Sequence, residues 1–182
     1  MMMPDNPNRG KRYDDNNLKS IVLAGGCFWG TQAYISRLLG VAYTECGYSN
    51  GRTEYPDYES VCTGTTGHAE AVWVRYDPGI LPLKKLLREY FKTINPTSLN
   101  RQGGDMGSQY RTGIYYVDAS DIPTIKEVMG EEQGKYPKSV VTEVLPLSCF
   151  YEAEEYHQDY LERNPNGYCH VDLSLLPRES RE

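Results

Sequence analysis

Ile21-Val22-Leu23-Ala24-Gly25-Gly26-Cys27-Phe28-Trp29-Gly30 reads as a strand, a glycine turn and the start of a helix. The apolar run within Leu18–Ala24 is short and ends at glycine, which marks a buried strand. A helical pattern follows from Trp29 to Leu39 and stops at Gly40. Cys27 therefore falls at a helix N-terminus. Unpaired amides and the positive end of the helix dipole favour an anion there. A thiol so placed is expected to have a lowered pKa, and the thiolate is the nucleophile. The glycines allow a sharp turn and close approach of a substrate. Phe28 and Trp29 set two aromatic faces beside the sulfur.

Outward from this stretch, Val41–Tyr48 reads as a second strand and Ser49–Gly67 as loop. His68–Tyr76 is a third strand, closed by Asp77-Pro78-Gly79. Leu83–Ile94 is a helix, and Asn95–Arg111 a long polar loop. Thr112–Val117 is a strand, Ile122–Gln133 a helix, Val140–Leu147 a strand and Ala153–Arg163 a last helix. This order predicts an α+β fold, a two-layer sandwich with a ferredoxin-like βαββαβ core. An additional strand, a helix and a coil tail follow it. Residues 1–17 are polar and are expected to form a disordered arm. Residues 18–182 are expected to form one catalytic domain, with a mobile tail from about residue 164.

The 182 residues carry a net charge of −6, with no basic stripe, which argues against nucleic acid as a partner. No apolar run nears the roughly 20 residues that span a bilayer. The first ten residues lack the apolar segment of a signal peptide. A soluble, cytoplasmic protein is expected. Five cysteines, an odd number without regular spacing, do not read as a secreted disulfide framework. No C-x-x-C occurs, and the three histidines, His68, His157 and His170, are scattered. A zinc site has only weak support. Tyrosine is abundant, at 16 residues against 3 phenylalanines; most are expected to be core and rim aromatics with hydroxyls reaching water.

Glu70 shares a strand face with His68, Val72, Val74 and Tyr76. On a core face its carboxyl would be desolvated, with a pKa above the usual value of about 4.3, and could donate a proton. On the solvent face it would be an ordinary surface acid. Cys46, Cys62 and Cys149 read as small buried hydrophobes. Cys169 lies beyond the last helix. It is either an incidental thiol or one able to reach a sulfenic acid and form a disulfide. Tyr58 and Tyr110 lie in loops, where residues either bind substrate or merely pack. Asp105 is a turn residue or a substrate ligand. His157 faces a pocket or packs with a satisfied ring, chiefly the second. Arg111 braces a loop or pairs with a carboxylate. Two other functions fit a reactive Cys27: a cysteine hydrolase or acyltransferase with His68 or His157 as base, and a non-enzymatic module binding an anion at the helix end.

Five blocks occur in a telling order. They are Gly26-Cys27-Phe28-Trp29-Gly30, Gly64-Thr65-Thr66-Gly67-His68-Ala69-Glu70, Asn100-Arg101-Gln102-Gly103, Gly107-Ser108-Gln109-Tyr110-Arg111 and Ala153-Glu154-Glu155-Tyr156-His157-Gln158-Asp159-Tyr160. Together they resemble the class A peptide methionine sulfoxide reductases, from about Leu18 to Cys169. The resemblance implies an oxidoreductase that reduces methionine S-sulfoxide, free or protein-bound, without metal or organic cofactor. It implies that Cys27 attacks the sulfoxide sulfur and Glu70 donates the proton. Tyr58 and Tyr110 would bond the sulfoxide oxygen. Cys169 would resolve the Cys27 sulfenic acid as a disulfide, and thioredoxin would reduce it. Phe28 and Trp29 would hold the methyl group. Asp105, His157 and Tyr160 complete the expected substrate-binding set. Tyr55 stands where the family usually has Asn before the proline.

Overall fold

The computed structural model describes residues 3–181. Strand β1 (Lys19–Gly25) leads through Gly26 and Cys27 into helix α1 (Phe28–Ile35). Then come β2 (Val41–Ser49), the short helix α2 (Tyr58–Cys62), β3 (Ala69–Tyr76) and α3 (Leu83–Lys92). A tiny hairpin of β4 (Arg101–Gln102) and β5 (Asp105–Met106) precedes β6 (Thr112–Tyr116). Helix α4 (Ile122–Gln133), β7 (Glu143–Pro146), β8 (Phe150–Glu152) and the single-turn α5 (Tyr160–Arg163) complete the chain's α and β elements among the described residues. The fold is α+β. Six strands form one sheet in the order β7-β6-β1-β3-β2-β8. Every neighbouring pair is antiparallel except β6 and β7. Among the described residues no helix is long and apolar enough to cross a membrane.

The alternation of β1 and β3 decides which face is covered. Ile21, Leu23, Val72, Val74 and Tyr76 are fully buried and join one cluster with Phe28, Tyr34, Ile35, Leu86, Leu87 and Tyr90 from α1 and α3. Each fully buried Val, Leu, Ile or Phe contributes on the order of 1.5–3 kcal/mol. In α3 the buried Leu83, Leu86, Leu87 and Tyr90 follow helical spacing after Pro82 at the N-cap. Val22, Ala24, Ala69, Ala71 and Tyr115 form a smaller cluster on the opposite face. The Tyr90 hydroxyl donates to the Ala24 carbonyl at 2.6 Å, which pins the end of β1 just before the glycine turn.

The structure departs from the sequence expectations at several points. Residues 3–17 are not a free arm. Asn8 donates from Nδ2 to the carbonyls of Ser36 and Leu38 at 2.9 and 2.8 Å, which satisfies groups left open at the end of α1. Arg37, buried, donates to Pro4 O at 2.7 Å and pairs with Glu162. The C-terminal tail packs on the main core, where Val171, Leu173 and Leu176 are buried. Tyr34 donates to Leu175 O at 3.1 Å, and the Leu39 amide to Ser180 Oγ at 3.2 Å. Residues 1, 2 and 182 lie outside the described ones.

No helix spans Ala153–Arg163. The Gln158 side chain instead bonds both backbone groups of Cys46 on β2, accepting at 2.8 Å and donating at 2.9 Å. Asp159 sits at φ 49° and gives its amide to Gln32 Oε1 at 2.9 Å. Such side-chain to backbone bonds compete with helix formation. The strand expected over Val140–Leu147 is shorter, because the Val140 and Val141 amides bond Gln133 and Pro96. Cys62 is exposed, not a buried hydrophobe. Cys46 is fully buried and Cys149 half-buried.

Candidate active site

Cys27 is the N-cap residue of α1, without a side-chain cap bond. The first turn of that helix therefore has amides to offer. They are divided between two side chains. The Phe28 amide donates to Glu70 Oε1 at 3.2 Å. The Trp29 and Gly30 amides act on the Cys27 sulfur and pull its pKa down. Gly26 makes the turn at φ 83°, where a Cβ would lie 2.7 Å from Gln102 Cβ and 3.1 Å from His170 Nε2. Only glycine suits both demands.

The expectation of a lowered Cys27 pKa does not hold in this resting structure. Cys27 is 8% exposed, and burial raises its pKa far above the usual thiol range. Glu70 adds to the rise, and the helix amides only partly offset it. Desolvation here outweighs the helix end. The thiol is held neutral.

Glu70 lies on the helix-facing side of β3, opposite Tyr48 of β2. It is 1% exposed, and burial pushes its carboxyl up to about 8. The Phe28 amide pulls the other way, less strongly. Its Oε2 is buried without a partner. At neutral pH the group is mostly a carboxylic acid, with one oxygen left without a protein partner. This has a stability consequence with a definite sign. The folded state holds Glu70's proton up to about pH 8, whereas the ordinary value is 4.5. Stability from this group is present below pH 4.5 and is lost as pH rises toward 8. Glu70→Gln removes that loss. Its unfolding free energy should match wild type near pH 4.5 and exceed it increasingly toward pH 8, by roughly a few kcal/mol at the upper end, with a melting temperature that rises accordingly. Thermal melts at both pH values check this; a gap that shrinks with rising pH contradicts it.

Around the pair stands a set of aromatic rings. Phe28 is buried beneath, 5.0 Å between centroids from His157 and 5.8 Å from Tyr48. Trp29 is half-buried and stacks on Tyr160 at 3.7 Å and 12°. Its Nε1–H donates to His157 Nδ1 at 3.0 Å, so His157 carries its proton on Nε2. His157 is fully buried, and burial lowers its pKa. The Tyr58 ring lies 4.7 Å from His157. Tyr58 opens α2, whose capping box is made by Asp57 and Ser60. Tyr55, before it, takes φ 47°, a conformation Asn tolerates better than Tyr. Tyr110 ends a short 3-10 turn, Ser108–Tyr110. Burial first, then Glu70, raises its hydroxyl pKa; burial dominates for Tyr58 too. Both hydroxyls remain protonated donors.

Asp105 is half-buried, with Oδ2 unpartnered, and its charge bears on Cys27, Glu70 and Tyr110. Cys169 is half-buried and packs against the main core. Its tail crosses the first turn of α1, against Gly30. A Cβ on Gly30 would lie 3.2 Å from Cys169 Sγ. Arg111 braces the site's edge: it pairs with Glu143 at 2.5 Å and donates to the carbonyls of Ser108 and Gly67.

Sequence reasoning missed the brace beneath Tyr58. Glu154 accepts from the Tyr48 hydroxyl at 2.8 Å and from the Tyr58 amide at 3.0 Å. A glutamate in the same block as His157 was the available signal. His68 is poorly placed to act as a base, because both its nitrogens are engaged. Nδ1 accepts from the Gly51 amide and Nε2 bonds Thr53 O. His157 Nδ1 is taken by Trp29. This disfavours a hydrolase. Among the described residues no group of three or more His, Cys, Asp or Glu has the makings of a metal site.

A neutral thiol, a neutral carboxylic acid, hydroxyl donors and a cluster of aromatic rings suit a substrate with a polar oxygen on an apolar centre. Comparison with known proteins agrees. The family pattern for peptide methionine sulfoxide reductase matches residues 19–182. Peptide methionine sulfoxide reductase MsrA of Clostridium perfringens strain 13 is 58% identical over 156 residues, covering 86% of this chain and 99% of its own. The crystal structure of Mxr1 from Saccharomyces cerevisiae in reduced form superposes with a TM-score of 0.83 at 36% identity, covering 88% and 94%. Mxr1 in complex with Trx2 gives 0.59 at 27% identity, covering 84% and 91%. The chain belongs to the peptide methionine sulfoxide reductase family.

Proposed function

We propose that this enzyme reduces methionine S-sulfoxide through Cys27, with Glu70 as the acid and Cys169 as the resolving thiol. Its chemistry is carried by thiols, with no prosthetic group. The observation that carries this assignment is the buried Glu70 carboxyl, up at about 8 with Oε2 unpartnered, sharing one helix N-terminus with Cys27. Trp29 and Tyr160 offer a flat apolar wall for the methyl group, over Phe28 and His157. Tyr58, Tyr110 and Glu70 donate to the sulfoxide oxygen, and Asp105 lies at hand for the substrate amide. As the sulfur of Cys27 bonds the sulfoxide sulfur, Glu70 gives its proton to the oxygen and recovers one from the thiol. The oxygen passes to the Cys27 sulfur as the substrate S–O bond and the transient S–S bond break, so the thioether leaves and Cys27 is left as a sulfenic acid.

Cys169 then forms a disulfide with Cys27. Thioredoxin reduces it, a role supported by the Mxr1 complex with Trx2. Cys169 also lines an open hollow of about 240 Å³ with Met3, Leu161 and Val171, which offers a reductant access. Residues 18–182 act as one catalytic domain on this reading, and the chain works in the cytoplasm on free or protein-bound substrate. The strand order β6-β1-β3-β2, all antiparallel, with α1 and α3 on one face, supports describing the core as two-layered and ferredoxin-like.

Cys169→Ser tests the division of labour. The first equivalent of methionine should form at close to the wild-type rate, and Cys27 should accumulate as a sulfenic acid trapped by a sulfenate-reactive probe. Turnover with thioredoxin should fall by at least about 10²-fold, since no disulfide remains for it to attack. Normal thioredoxin turnover would reassign the resolving role, with the exposed Cys62 as the first alternative.

A further inference from the structure

His170 follows Cys169 and is held by the glycine turn. Its Nε2 lies 2.8 Å from the Gly25 carbonyl, an acceptor only, so Nε2 carries the proton. Nδ1 is then a bare lone pair. It is buried and has no partner, which is uncommon enough in native structures to call for a cause. Gly30 supplies the setting. From the point where its Cβ would stand, Cys169 Sγ is 3.2 Å away and His170 Nδ1 3.3 Å. The thiol and the lone pair thus both pack onto Gly30, in the first turn of the helix that Cys27 caps. In the resting structure Sγ lies 3.3 Å from Val171 O, so the thiol proton has another acceptor until the tail shifts.

We propose that His170 is the base that ionises Cys169 for its attack on the Cys27 sulfenic acid. This rests on the assignment of Cys27 and Cys169 made above. Nδ1 takes the Cys169 proton as the S–S bond forms and the Cys27 S–O bond breaks. The Cys169 sulfur is oxidised and the Cys27 sulfur reduced. The departing hydroxide receives the proton and leaves as water. Burial raises the Cys169 pKa, so the thiol needs a base, and burial lowers that of His170, so the ring is neutral and able to serve. Of the charged groups near this pair, Asp105 from the β4–β5 hairpin opposes the lowering at His170, and Arg37 lowers the Cys169 pKa, less than burial raises it.

His170→Gln keeps an N–H for the Gly25 carbonyl but has no titrating lone pair. The reduced protein is mixed with methionine sulfoxide without reductant, and methionine, sulfenic acid and disulfide are followed separately. Methionine release should stay within about twofold of wild type, which also shows that the variant is folded. Disulfide formation should slow by about 10²-fold, with sulfenic acid trapped meanwhile. In wild type the disulfide step should rise with pH and level off near or below pH 6.5. In the variant it should keep rising toward the thiol's own range, above pH 9. His170→Asn, which places an amide near Nδ1 and frees the Gly25 carbonyl, should show the same profile. A disulfide step at the wild-type rate in both variants overturns the proposal. So does a slowed step that keeps the wild-type pH profile, since a mere clamp would give that. If wild type makes no Cys27–Cys169 disulfide at all, the underlying assignment fails and the proposal with it.

Discussion

Cys27→Ser should abolish reduction of methyl sulfoxides, by on the order of 10⁴-fold or more, and leave the fold intact. The hydroxyl fits where the thiol sits, because Cys27 makes no side-chain cap bond that serine would lose. Serine cannot take the sulfoxide oxygen as a stable acid, so the chemistry has no first step. None of the other four thiols can substitute. Cys46 is sealed in the core, with Sγ 3.1 Å from Gln32 Oε1. Cys62, Cys149 and Cys169 do not stand at the N-terminus of α1. The check is a single-turnover assay beside a circular dichroism spectrum. Wild-type activity in a folded variant would sink the mechanism.

Glu70→Gln should cost about 10²–10⁴ in the single-turnover rate, the range usual for a lost general acid. The amide fills the same space and still accepts from the Phe28 amide, so the fold should hold and gain stability. The pH profile separates acid from prop. Glu70 is raised to about 8, so its proton is present below that pH and lost above it. The wild-type rate should therefore fall as pH rises through about 8. That limb should vanish in Glu70→Gln. A variant that keeps both the rate and the limb would place Glu70 among the structural residues.

Much of this site was legible in the sequence, because it depends on local rules. Strand parity put Glu70 with Val72, Val74 and Tyr76, and those residues are the ones the helices cover. Two glycines before Cys27 announced the turn, and Gly26 has the positive φ that only glycine takes easily. What escaped depends on distant parts of the chain. The sign of the Cys27 shift is one case: the helix end is local, but burial and the nearby Glu70 come from tertiary packing and outweigh it. The Ala153–Arg163 segment is another. Its periodicity suggests a helix, yet the Gln158 side chain prefers the backbone of Cys46. The tail shows the same limit. Its polar residues suggest mobility, but Val171 and Leu173 reach the core. Cys169 and His170 also fill the space that Gly30 leaves empty.

In the proposed cycle Cys27 takes the oxygen and Cys169 resolves it. The most direct test treats the reduced protein with one equivalent of methionine S-sulfoxide and no reductant. Thiols are counted and the disulfide is mapped by mass spectrometry. All five cysteines are free at the start. One methionine should form, two thiols should disappear, and the single new bond should join Cys27 to Cys169. Methionine formed with every thiol intact, or a disulfide that omits Cys27, would contradict it.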